Sequence, residues 1–337
     1  MKSFVLFLLF CITLFGGETL KIATYNVENL FDLKKNGYEY KEYIPYTNSG
    51  WNDKAYKTKL KNLSRVIKDI DADIIALQEI ESSQALKDLQ FQLKRDGLYY
   101  QYIKIADAKD TVIKVALLSR IPFVYAKDLV VGYSYAFRDI LEVKFKINNE
   151  ALYLFVNHWK SKAGPESMRI AYAKALKKRV QELGKNKSII ALGDFNSHYE
   201  EYKTFKRKRK LNDTDGITGI NHILGTINYQ QNASNTTHIK KNEFYNLWYD
   251  TQEEKRYSYI YRGKKEALDN ILISASLLDK KGLDYKQNSI TSFVKPYLYK
   301  GKYIYRWQMS KGKIRKHKAK GYSDHLAVVA EFTTNTN

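Results

Sequence analysis

The sequence predicts an α/β or α+β fold built on two packed β-sheets. Three observations carry that reading. Short apolar runs with strand character recur along the chain and are bounded by polar residues. Four of them, IKVALLS (113–119), FVYAKDLVV (123–131), ILEVKFKI (140–147) and ALYLFVNH (151–158), follow in series with no crossover helix between them. That series excludes a simple doubly wound parallel sheet, in which each strand is followed by a helix. Finally, stretches of helical period intervene at three places only.

LKIAT (20–24) reads as the first strand, with Asn26 and Glu28 just past its end. From Lys54 to Ile70, Tyr56, Leu60, Leu63, Ile67 and Ile70 repeat at helical spacing. ADIIALQEI (72–80) is a short buried strand with Glu79 near its end, and residues 82–95 read as a helix. After the four strands, Pro165 begins a helix that runs to about Leu183. SIIAL (188–192) is a strand that Gly193 breaks, and residues 199–256 are polar with no clear period. Strands return at RYSYIY (256–261), ALDNILIS (267–274) and HLAVVAEF (325–332). No internal repeat and no Pro- or Gly-rich linker divides the chain, so residues 18–337 are expected to form one domain.

The segment MKSFVLFLLFCITLFGGE has one lysine, an apolar run from Phe4 to Phe15 and then small residues. That order is expected of a secretory signal peptide over residues 1–17, with export to the periplasm or medium. The run is too short to span a bilayer, and no membrane insertion is expected once it is removed. Cys11 is the only cysteine, so a processed chain would hold neither a disulfide nor a thiolate site. The formal charge is +21, from 57 Lys and Arg against 36 Asp and Glu, and such an excess attracts polyanions. Two basic runs concentrate it: KTFKRKRK (203–210), with Lys206, Arg207, Lys208 and Arg209, and KGKIRKHKAK (311–320). Tyr297, Tyr299, Tyr303, Tyr305 and Trp307 alternate with lysines and read either as base-stacking residues or as a hairpin.

Chemistry-bearing residues gather where apolar runs end. Asn26 and Glu28 follow the first strand, Glu79 another, and Asn157 and His158 a third. Asp194 and Asn196 follow SIIAL, Asp269 stands within ALDNILIS, and Asp324 and His325 open the last strand. One such place would be a turn, but six are not explained that way. Buried carboxylates and imidazoles cost several kcal/mol, roughly, unless paired or metal-bound. Glu79, Glu28 and Asp324 offer oxygen ligands suited to Mg²⁺ or Mn²⁺, with Ca²⁺ a further hard cation for the same donors. Asp269 and His325 fit an Asp–His pair, with Asp194 and Asn196 opposite to orient water and an oxyanion. The set suits phosphoester hydrolysis, which needs charge neutralisation and in-line positioning. Arg120, Arg138, Lys160 and Lys162 flank these strands and are expected to touch phosphate.

These motifs, YNVENLFD, LQEI, NHWKSK, GDFNS, LDNILIS and SDH in this order, resemble the endonuclease/exonuclease/phosphatase superfamily, the group of DNase I and exonuclease III. The likeness covers nearly all of residues 20–333 and is nearest to bacterial secreted nucleases. It implies a four-layer α/β sandwich, two mixed sheets face to face with helices outside. It also implies that Asn26, Glu79 and Asp324 form the metal and phosphate site, with Glu28 nearby. His158 would contact the scissile phosphate, Asp194 position or activate water, Asn196 hold phosphate, and Asp269 orient His325. One departure is visible: where DNase I supports its first histidine with a Glu, VIKVALL offers Lys114. The charge favours a secreted nuclease, DNA ahead of RNA. The alternatives are a secreted phospholipase or sphingomyelinase-type phosphodiesterase and a DNase-like toxin subunit. A sphingomyelinase should show an exposed apolar hairpin, and the sequence has none.

Overall fold

The computed structural model describes residues 19–205, 210–235 and 239–334. The expected signal segment and the run Lys206–Arg209 lie outside the described residues. Strand β1 spans Thr19–Leu30 and is followed by helix α1, Asp53–Ile70. The Asn52 side chain caps α1 by accepting from the Ala55 N–H at 3.2 Å, and Asp71 ends it in the left-handed region. Strand β2 is Ile74–Ile80, and helix α2 is Ser83–Arg95, capped by Ser82. Strands β3 (Tyr102–Ile105), β4 (Lys114–Ser119), β5 (Phe123–Leu129), β6 (Ile140–Ile147) and β7 (Glu150–His158) follow without a helix between them. Helix α3, Glu166–Leu183, starts after Pro165 and leads into β8, Ser188–Asp194.

The polar region that follows forms short helical turns around β9 (Tyr245–Asn246). A hairpin of β10 (Tyr259–Tyr261) and β11 (Lys264–Glu266) leads to β12 (Asp269–Ile273). Then come β13 (Leu283–Tyr285) and β14 (Thr291–Ser292), a second hairpin of β15 (Tyr299–Lys300) and β16 (Tyr303–Ile304), and β17 (Val328–Thr334). One mixed sheet has the order β13-β17-β1-β2-β4-β3, with β14 also on β17; the other has the order β5-β6-β7-β8-β12-β9.

Alternation along the strands explains the layering. On β8, Ile190 and Leu192 face one way and join Ile22, Ala76 and Val115 of the first sheet in a core between the sheets. Ile189 and Ala191 face the other way and pack on Tyr172, Leu176 and Val180 of α3. Across the first sheet, Ala23, Tyr25 and Leu77 pack on Leu60, Leu63 and Ile67 of α1 and on Leu86 and Leu89 of α2. Helices therefore cover both outer faces, which gives the four-layer sandwich. Among the described residues no helix is long and apolar enough to cross a membrane.

Two boundaries differ from the sequence reading. Strand β1 continues through Asn26 and Glu28, because residues up to Asn26 stay paired with β2 before the register shifts. Gly193 does not break β8. It stays in the ladder opposite Asn157 and Asn270, at φ 136°, and a Cβ there would lie 2.0 Å from the Asn157 carbonyl oxygen. Only a residue without a side chain permits that approach.

Candidate active site

The inner faces of both sheets turn polar at the same end. On β7, Leu152, Leu154 and Val156 line the inter-sheet core, and His158 is the next residue of that parity. On β8 the series Ile190, Leu192 continues to Asp194, and on β12 Ile271 and Ile273 share a face with Asp269. Strand register then aligns the three: His158 lies opposite Asp194, and Asp194 opposite Asp269. From the other sheet, Ile22 leads by the same alternation to Thr24 and Asn26. The Asn26 amide donates to Asp194 Oδ2 at 3.1 Å and to Glu79 Oε1 at 3.1 Å, so one side chain ties both sheets to the site.

Glu79 reaches this point because the β1–β2 ladder is irregular there. Glu28, Asn29 and Glu79 all have positive φ, at 51°, 62° and 68°. Such strain in non-glycine residues gathers at functional sites. The Asn29 N–H binds Glu79 Oε2 at 2.9 Å. Asp194 Oδ1 accepts the Asn196 N–H at 2.8 Å, and the Asn196 side chain donates to the Trp159 carbonyl at 3.1 Å. Asp269 Oδ2 accepts from Ser258 Oγ at 2.5 Å and from His325 Nδ1 at 2.7 Å. A carboxylate here can only accept, so the His325 proton sits on Nδ1. Tyr259 packs against the same imidazole, ring centroids 4.8 Å apart.

The two histidines are driven apart in charge. Burial, then the charges of Arg138 and His325, hold His158 well below its ordinary pKa, so it is neutral. Burial opposes charge on His325 too, but Asp269 and its hydrogen bond, with Asp194 and Asp324, raise its pKa well above the usual value. Burial and then Asp269 push Asp194 up to about 7, and burial and then Asp324 push Glu79 up. Crowded buried carboxylates of this kind accept a divalent cation well, since its charge relieves both costs. Glu79 and Asp324 give hard oxygen donors such an ion needs. Ligand atoms of Asp194, Asp269 and His325 also lie within 4.8 Å of one another. Asp269 Oδ2 and His325 Nδ1 are spent on each other, which marks that trio as an acid–base group.

The model of the Endonuclease/Exonuclease/phosphatase family matches residues 21–334. The chain belongs to that family. No curated protein matches the sequence. Among solved structures, humanized TDP2 from D. rerio is 14% identical with a TM-score of 0.56, covering 94% of this chain and 99% of that one. D. rerio TDP2 complexed with a single-strand DNA product gives the same values. A mannosyl-6-phosphatase of Bacteroides thetaiotaomicron is 15% identical, with a TM-score of 0.55 and coverage of 93% and 99%. The family fold is that of phosphoester hydrolases, and at these identities the likeness speaks for the fold alone.

Within this family fold, several expected site residues stand elsewhere. Glu28 was expected among the metal ligands. Its carboxylate instead accepts from Arg306 Nε at 2.8 Å and from the Trp307 N–H at 2.9 Å. Arg306 also reaches Asp324 Oδ2 at 3.1 Å, so it bridges the two acids. Burial, then Asp324, raises the Glu28 pKa to about 7 against the pull of Arg306 and Lys59. Arg120 follows β4 at the end remote from Glu79, where it pairs with Asp71 and Asp73. A six-residue strand separates it from the site by roughly 20 Å. Lys162 is held by Glu201 at 2.9 Å and Glu266 at 3.1 Å, so its charge is spent internally.

One further expectation, Arg138, meets the site. Arg138 donates to the His158 and Trp159 carbonyls at 3.5 and 3.3 Å, beside the imidazole and Tyr40. Lys160 is half-buried, and among the described residues it makes no ion pair. Lys114 turns to the carbonyls of Glu81 and Thr111, and His158 Nδ1 is buried with no hydrogen-bond partner among the described residues. The absence of a supporting acid for His158, visible at VIKVALL, therefore has a counterpart in the geometry. Arg306, Lys59, Ser258 and Tyr259 were not legible as site residues. Each sits in a Tyr- or Lys-rich stretch whose composition resembles ordinary surface.

Proposed function

We propose that this family member is a divalent-metal-dependent nuclease that hydrolyses phosphodiester bonds, DNA ahead of RNA, and that it works after export. The observation that carries the reaction class is the aligned set His158, Asp194 and Asp269 on adjoining strand ends, with His325 on Asp269. A bound Mg²⁺ or Mn²⁺, held by Glu79 and Asp324, would supply charge to the phosphate oxygens. Asp194, with its pKa near neutral, accepts the proton of the attacking water while Asn26 and Asn196 fix its orientation. His325, kept charged by Asp269, stabilises the negative charge that grows on the phosphoryl group and donates a proton to the leaving oxygen. Neutral His158 and Arg138 steady the phosphate oxygens.

Charge supports the polymer. In the run 311–320, His317 is anchored: its N–H donates to the Ser49 carbonyl at 2.8 Å, and its Nδ1 accepts from Trp307 Nε1 at 2.8 Å. Lys311, Lys313, Lys316, Lys318 and Lys320 are left exposed along one segment that leads into Ser323 and His325. The DNA-bound state of D. rerio TDP2 adds a family precedent.

The test is a substrate panel for the purified chain in Mg²⁺: plasmid, single-stranded DNA, RNA, sphingomyelin and a sugar monophosphate. Cleavage of DNA above the others supports the reading. Hydrolysis of the sugar phosphate or sphingomyelin alone overturns it. For export, mass spectrometry of the mature protein should find an N-terminus near Gly17 or Glu18, and an intact Met1 on active protein would contradict it.

A further inference from the structure

The cation and aromatic residues beside Asp324 are not evenly spread. A cleft of about 540 Å³ opens between the β10–β11 hairpin and the β15–β16 hairpin, and Arg306 and Asp324 form its inner end. Its walls carry Tyr259 and Tyr261 from one hairpin and Tyr303 and Tyr305 from the other, with Arg262 and Lys300 at the sides. Volumes of this order suit a small-molecule-sized group, roughly 300–1,000 Å³.

The placement follows from strand alternation. Tyr259 and Tyr261 are two residues apart on β10 and share a face. Tyr259 packs on the His325 ring, so the tyrosine row starts at the catalytic histidine and runs outward. Tyr303 and Tyr305 repeat the spacing on the facing hairpin, and a Tyr257–Tyr299 hydroxyl contact of 2.9 Å ties the hairpins together. Tyr261 and Tyr303 remain 52% and 50% exposed, so both rings are open to a ligand in the cleft. Ile304 supplies a buried apolar floor. Cations line the rings, with Arg262 over Tyr261 at 5.3 Å and Lys300 over Tyr305 at 5.9 Å.

We propose that this cleft is a subsite for one unpaired nucleobase flanking the scissile phosphate, a reading that rests on the nuclease assignment. Phenol faces on the two walls take the flat π-surface of any base, and the lateral cations take the neighbouring phosphate. A base stacked within a duplex cannot enter without being extruded, so the cleft selects single-stranded or frayed nucleic acid over paired DNA. A lipid tail finds little here, because the walls are phenols and cations.

The experiment uses the full processed chain in Mg²⁺ with three substrates: a short single-stranded oligonucleotide, the same oligonucleotide with an abasic site next to the cleavage point, and a small bis-aryl phosphodiester. The variants are Tyr261→Ala/Tyr303→Ala and Tyr261→Phe/Tyr303→Phe. The unmodified chain should cleave the parent oligonucleotide about tenfold more efficiently than the abasic one, the scale of one base–aromatic stack, mostly through KM. The alanine pair should lose that preference, the phenylalanine pair should keep it, and the rate on the small diester should stay unchanged. Equal cleavage of parent and abasic strands by the unmodified chain overturns the subsite. So does a preference that survives in the alanine pair, or an equal loss on the small diester. If the unmodified chain cleaves the small diester but no oligonucleotide, the nuclease reading itself fails, a result visible without any variant.

Discussion

The Asn26 side chain, from the first sheet, donates to Asp194 Oδ2 of the second at 3.1 Å. The same amide also serves Glu79, so it holds an expected metal ligand and the proposed base in fixed relation. Asn26→Ala should lower kcat about 10- to 100-fold, the usual cost of removing a group that orients ligands. It should also cost about 1–3 kcal/mol of stability, because two buried carboxylates lose a donor. Steady-state kinetics and denaturant unfolding check both, and full activity in Asn26→Ala would contradict the role.

Much of the fold was legible because its inner and outer faces are strongly apolar. The runs at 140–147 and 151–158 and the helix from Lys54 match the observed elements to within a residue or so. The short strands β3 and β11 were not legible, since three or four Tyr- and Lys-rich residues carry no period, whereas RYSYIY did announce β10 and the Tyr297–Trp307 alternation allowed for the β15–β16 hairpin. At the site, polar residues ending apolar strands announced His158, Asp194, Asp269 and His325. Arg306 was hidden because its partner Glu28 lies 278 positions away. Glu28 was misread for the same reason: sequence shows a carboxylate near the site but not the guanidinium that occupies it. Arg120 was misread because a strand has two ends, and periodicity does not say which end faces the crevice.

The His325 and Asp194 protonation shifts set opposite signs in two variants. His325 has its folded pKa raised, so its pairing contributes stability fully present below about pH 6.5 and lost as pH rises through the folded value. The Tm gap between the parent and His325→Gln should therefore narrow as pH rises. Asp194 holds a proton that the unfolded chain releases between about pH 4 and 7, so its burial costs most above pH 7. In metal-free buffer Asp194→Asn should gain Tm over the parent as pH rises through that window; assayed in Mg²⁺, the same variant should lose about 10²–10⁴ in rate. Thermal melts from pH 5 to 8 test both, and a gap that widens for His325→Gln would contradict the pairing.

Gly193 permits the close approach of β7 and β8 that aligns His158 with Asp194. Gly193→Ala would drive a Cβ against the Asn157 carbonyl. The expected loss is about 3 kcal/mol or more, from steric strain at a position with positive φ. Urea unfolding measures it, and a near-neutral midpoint would show that the ladder is looser than described.

The exposed run 311–320 should govern salt dependence. If its lysines track phosphates, log Kd for duplex DNA varies with log salt by about 0.9 per phosphate contacted. Changing Lys311, Lys313, Lys318 and Lys320 to Gln should make the slope shallower, as should changing Lys206, Arg207, Lys208 and Arg209. Binding is measured in Ca²⁺ to suppress cleavage. An unchanged slope for both sets would assign these runs to solvated surface.

The central claim is metal-dependent phosphodiester hydrolysis at the Asn26–Glu79–Asp194–His325 site. Its most direct measurement is cleavage of DNA by metal-stripped protein titrated with Mg²⁺ or Mn²⁺, beside His325→Ala under the same conditions. The account predicts no cleavage in chelator, recovery with the cation, and a loss of about 10²–10⁴-fold in His325→Ala. Undiminished cleavage in chelator, or a near-native rate in His325→Ala, would contradict it.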